Sequence, residues 1–107
     1  MAVKLRVKRP DPILRQIAAG LGEYADAHPG AVIEAYRQNS VSVRVRVVSP
    51  AFAGKSRAQR EDEVWAALND LPEEAVAEIS LLLLLTPAEA MSSFANVEFD
   101  DPIPSKL

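Results

Sequence analysis

The chain has 107 residues, 49% apolar and 25% charged, which suits one globular domain with a core able to fold unaided and leaves no length for a second. It holds no cysteine and a single histidine, His28, so disulfides, thiolate zinc sites and cysteine-held clusters are excluded. The net charge of -3 hides a split: residues 1–60 carry eleven Lys/Arg against four acids, whereas residues 61–107 carry eleven acids against Lys106 alone. Such a division either steers partners or joins elements that pack on one another.

In chain order, Val3, Leu5 and Val7 alternate with Lys4, Arg6 and Lys8, the period of a half-exposed strand over about residues 2–9. Asp11 offers an N-cap and Pro12 a first-turn residue. Ile13, Ile17, Leu21 and Tyr24 follow at helical spacing, which predicts a helix from Pro12 to Ala27. His28-Pro29-Gly30 stops it, and a lone imidazole there reads as a helix-end residue rather than a metal ligand.

A hairpin comes next: a strand over Ala31 to Arg37, a turn at Gln38-Asn39-Ser40, and an alternating valine strand over Val41 to Val48. Gly54 turns the chain. Ser56 and Gln59 have the spacing of a capping box for a second helix, whose core stripe is Val64, Trp65, Leu68 and Leu71. After Leu71-Pro72 a single helical turn precedes the strand Ile79 to Leu85. Its five leucines leave neither face polar, which predicts an interior strand covered on both sides. Thr86 and Glu89 repeat the capping-box spacing and open a third helix from Pro87 to about Ala95. Residues 96–107 are acidic, contain proline and lack periodicity, so they read as a tail outside a domain of residues 1–95.

The order strand, helix, strand, strand, helix, strand, helix describes an α+β domain with a mixed sheet packed by helices. Tyr24, Tyr36 and Trp65 fall within apolar patterns and read as core or boundary anchors. No span is long enough for a membrane, and no secretory leader or lipidation pattern is visible, so a cytoplasmic location is expected. No nucleophile constellation, opposed carboxylate pair or phosphate-binding glycine loop marks an enzyme.

Arg44-Val45, Val47-Val48-Ser49, Phe52-Ala53-Gly54-Lys55, Gln59-Arg60, Val64 and Thr86-Pro87-Ala88-Glu89 stand in the order and spacing of the BolA signature. Over about Ile13 to Met91 the chain resembles BolA-like proteins, and the resemblance implies a core related to the type II KH arrangement. Proteins of that family are non-enzymatic regulators that pair with monothiol glutaredoxins around a shared [2Fe-2S] cluster, and some are DNA-binding regulators. The resemblance places cluster ligands just before the last strand and in the hairpin loop, where this chain has Glu78 and Asn39/Ser40. Carboxylate and amide oxygens are hard donors unsuited to such a cluster, so cluster ligation is expected to be lost and no cofactor is expected. Glu61 also stands where the family's helix has a histidine.

Two functions follow as expectations. The first is a regulatory or protein-interaction module, a monothiol glutaredoxin-like protein being the partner the family suggests, docked around Gly54 to Arg60 and the third helix. The second is a KH-like nucleic-acid binder or transcription regulator working through the basic half. Lys4, Arg6, Arg44, Arg46, Lys55, Arg57, Arg60 and Glu61 are the candidate contacts. Pairing of the basic first strand with an acidic region of a second copy is a further route to a homo-oligomer.

Overall fold

A computed structural model describes residues 3–5, 11–92 and 99. Four strands and four helices follow one another as β1 (Val3–Leu5), α1 (Pro12–Ala27), β2 (Val32–Asn39), β3 (Ser42–Val48), α2 (Arg57–Leu68), α3 (Glu73–Ala77), β4 (Ile79–Leu85) and α4 (Pro87–Ala90), with a 3-10 turn at Pro50–Phe52. This is the predicted α+β order, with the single turn after Pro72 realised as α3. The strands form one sheet in the order β1-β2-β3-β4, parallel, antiparallel and parallel in turn.

The helix starts form where capping chemistry dictates. Asp11 accepts from the Leu14 N–H at 3.0 Å ahead of Pro12. Ser56 with Gln59, and Thr86 with Glu89, both make complete reciprocal capping boxes. Gly54 takes φ +76°, a left-handed conformation that side chains resist, and turns the chain from Phe52 into α2. His28 caps the end of α1, with Nδ1 3.0 Å from the Tyr24 carbonyl and its ring stacked on Tyr24 at 4.0 Å.

The core lies between α1, α2, α3 and one face of the sheet. Leu14, Ile17, Leu21 and Tyr24 of α1 meet Ile33, Ala35, Val43, Val45 and Val47 of the hairpin, with Phe52, Val64, Leu68 and Ala75 closing the ends. On α1 the buried position is Leu14 and its neighbour Ile13 is only partly covered, a shift of one residue in the stripe. At Gly20 an added Cβ would stand 3.2 Å from Leu68 Cδ2 and 3.4 Å from the Ala67 carbonyl, so the missing side chain is what lets α1 approach α2.

Three expectations change, and a fourth is covered only in part. For β1 the structure describes Val3–Leu5, and residues 2 and 6–9 of the predicted strand lie outside the described residues. β2 runs past Arg37 to Asn39 through a bulge, leaving Ser40 and Val41 as the turn, because Asn39 Oδ1 accepts from the Val41 N–H and closes it locally. The last helix is a short one, Pro87–Ala90, and residues 93–95 of its predicted length lie outside the described residues.

The third change bears on function. Among the described strands β4 is an edge, paired to β3 alone, rather than an interior strand. Leu82 and Leu84 turn to the core, while Leu81 and Leu83 remain partly exposed on the other side. The unbroken leucine run therefore covers one core face and furnishes a second, outward apolar surface. The predicted tail also lies outside the described residues, except Phe99, which is wholly buried. No helix among the described residues is long and apolar enough to cross a membrane.

Candidate functional site

Part of the charge split is resolved inside the molecule, in four ion pairs among the described residues. Cations of the first half meet acids of the second in Arg37–Glu78, Lys55–Glu63, Arg57–Glu61 and Arg60–Glu89. The candidate contacts fall into two groups. Lys4, Arg44 and Arg46 stand on the sheet face turned away from the core, where Arg46 pairs with Glu34 and Arg44 Nε donates to Gln38 Oε1 at 2.8 Å. Lys55, Arg57, Arg60 and Glu61 gather at the start of α2. Arg6 lies outside the described residues.

At the second group the elements build a cleft of about 390 Å³, floored by Leu81 to Leu85 and rimmed by Arg57, Arg60, Glu89 and Ser92. Arg60 organises it. Its guanidinium holds Glu89 through two bonds of 2.6 and 3.2 Å and donates to the Leu84 carbonyl at 3.1 Å. Its Nε donates to the Lys55 carbonyl, and the group lies over the Phe52 ring at 5.6 Å. One side chain thus ties α2, β4, α4 and the Gly54 turn. Arg57, by contrast, is 84% exposed and pairs with Glu61 at 3.3 Å one turn along the helix. The leucines of the floor were not among the candidates; the signal available in the sequence was a strand apolar at every position, more than one buried face requires.

The residues at the resemblance's ligand positions are brought together, but around a cation. Arg37 Nη1 donates to Glu78 Oε1 at 2.6 Å, the Ser40 carbonyl at 3.1 Å and the Asn39 carbonyl at 3.3 Å. Its other nitrogens grip Asp11 in a fork at 2.7 and 3.1 Å. A guanidinium with oxygen-only partners does not fit a cluster held by soft ligands. Among the described residues no group of three or more His, Cys, Asp or Glu is placed to hold a metal ion.

These pairings act on proton affinity. The hydrogen bond from Arg37, aided by the Leu14 N–H, lowers Asp11 to about 2, and the bond from Arg60, with the Thr86 N–H, lowers Glu89 to about 2. Both groups bind protons less readily folded than unfolded. Each therefore contributes stability above its unfolded range near about 4 and loses it as pH falls from there to about 2. The melting temperature is expected to drop most steeply in that interval. Asp11→Asn keeps an N-cap oxygen but loses the charge, so it should flatten the drop in melting scans; an unaltered profile would contradict this account.

A mixed four-stranded sheet with α1, α2 and α3 packed on its core face, and a cleft at its β4 edge, defines a small α+β domain. No family model matches the chain, and no curated protein matches it. Among solved structures it is similar to the solution structure of the XC975 protein, with 30% identity and a TM-score of 0.50 over 78% of this chain and 98% of that one. The chain belongs to the same family as the XC975 protein.

Proposed function

We propose that this chain is a non-enzymatic BolA-like binding module that docks a protein partner of the monothiol glutaredoxin type at the α2–β4 cleft, without a cluster shared between them. The observation that carries this reading is the Arg37 guanidinium held by Glu78 and the Asn39-Ser40 turn, at the positions where the resemblance expects cluster ligands. A guanidinium has no lone pair to give iron, and the oxygens around it are hard donors already engaged with it, so the position offers a cluster no ligand. The cleft supports the docking half of the reading, since an apolar floor beside exposed Arg57 suits a partner offering apolar side chains next to a carboxylate. Nucleic-acid binding has less support, because Arg46, Lys55 and Arg60 are each engaged in a short ion pair by an acidic side chain of the same chain.

The test is anaerobic reconstitution with a monothiol glutaredoxin, glutathione, iron and inorganic sulfide, followed by gel filtration and visible spectroscopy. A complex is expected to form with no histidine-perturbed cluster spectrum. Arg57→Glu, an exposed change that leaves the fold intact, should weaken it by about tenfold. A stable mixed cluster would overturn the first half of the reading, and the absence of any complex the second.

A further inference from the structure

The sheet face opposite the core holds a second recognition feature, independent of the cleft. Tyr36 of β2 and Arg46 of β3 stand there as diagonal neighbours, Tyr36 in register with Arg44 and Arg46 with Glu34. Phe99 is seated on both. Its ring meets Tyr36 edge to face at 4.9 Å, the Arg46 guanidinium lies 4.7 Å over it, and its carbonyl accepts from the Tyr36 hydroxyl at 2.8 Å. Glu34 holds Arg46 in place, and Arg44 Nη1 reaches the Tyr36 oxygen at 3.5 Å.

An apolar lid would need only burial. Here one residue is read three ways: by ring edge, by cation over the ring face, and by a hydrogen bond to its main-chain carbonyl. The last of these recognises a peptide rather than a free ring. In sequence Phe99 stands between Glu98 and Asp100-Asp101, and the face that receives it carries Lys4, Arg44 and Arg46.

We infer that the Tyr36–Arg46 slot is a peptide-docking site that reads one phenylalanine in an acidic segment, with the chain's own Phe99 as resident occupant, and that a partner carrying this pattern binds by exchanging with it. A tethered occupant competes at an effective concentration on the order of millimolar, so the slot reads as weak until Phe99 is removed. The basic neighbours add a salt-sensitive attraction for the acidic flanks.

The probe is a fluorescein-labelled peptide of residues 96–107, titrated into the full-length chain and into full-length Phe99→Ala with anisotropy as the readout. Phe99→Ala should bind it at least about tenfold more tightly than the unaltered chain does. The same peptide with its phenylalanine changed to alanine should not bind, and adding Arg46→Met to the Phe99→Ala chain should weaken binding. Equal binding by both chains, or none by a folded Phe99→Ala, would overturn the proposal. So would binding of a single-stranded oligonucleotide, in place of the peptide, to the vacated face. Should Phe99→Ala fail to fold, unlabelled peptide at millimolar concentration against the unaltered chain should displace the resident Phe99 and shift that residue's own amide and ring resonances; no shift would refute the slot.

Discussion

Phe52→Ala is expected to lower unfolding stability by about 3–5 kcal/mol, the range for emptying a fully buried aromatic site. Phe52 has no exposed surface, stacks with Tyr24 at 6.1 Å and supports the Arg60 guanidinium on its ring. Its removal leaves a cavity beneath α2 and withdraws the surface on which the organiser of the cleft rests. Urea unfolding checks the magnitude, and the melting temperature should fall by roughly 15–30 °C. Phe52→Leu, which refills much of the volume but gives no ring, should cost about 1–2 kcal/mol. If alanine costs less than about 1 kcal/mol, the site collapses around the gap and the packing described for this end of the core is wrong.

Arg37→Met is expected to cost about 2–4 kcal/mol, larger than an exposed ion pair and near the value for breaking a buried one. The side chain is 18% exposed and serves Asp11, Glu78 and two turn carbonyls together. Methionine replaces its volume, so the loss is electrostatic: two carboxylates remain close to each other and the β2–β3 turn loses its donor. Arg37→Lys should recover only part, since an ammonium lacks the planar fork that grips both Asp11 oxygens. The gap between the Met variant and the unaltered chain should narrow as pH falls toward about 2, where Asp11 becomes protonated. Chemical denaturation at two pH values measures both effects, and a gap that widens on acidification would refute the hub.

The elements were legible in the sequence wherever a local rule decided them. Asp11-Pro12, Ser56 with Gln59 and Thr86 with Glu89 are short-range chemistry, and all three caps form as read. The valine alternation of β3 likewise sets which face turns inward. The placement of β4 was not legible, because a run of leucines signals apolar surroundings without saying whether helices, a cleft or a partner supplies them. Arg37 is not legible as a hub because its importance comes from Asp11, 26 residues away, and Glu78, 41 away, and no spacing rule joins them. Phe99 is not legible for a related reason: an aperiodic acidic stretch reads as a tail, and its one aromatic gains meaning only against Tyr36, 63 residues earlier. The intramolecular partners of the candidate cations Arg46, Lys55 and Arg60 depend on tertiary geometry in the same way.

The sheet's pairing order also sets a timetable for the newborn chain. Its central antiparallel pair is closed by the Ser40-Val41 turn and needs only neighbours in sequence, so it can form on the order of microseconds. Each flanking parallel pair must wait for a crossover, α1 for β1 with β2, and α2 with α3 for β3 with β4. Five leucines are therefore made late and join their neighbour late, while their backbone groups can still pair with another chain. Yield of the soluble protein should depend on synthesis rate and temperature more than on the stability of the finished fold, with misassembly seeded at Leu81 to Leu85.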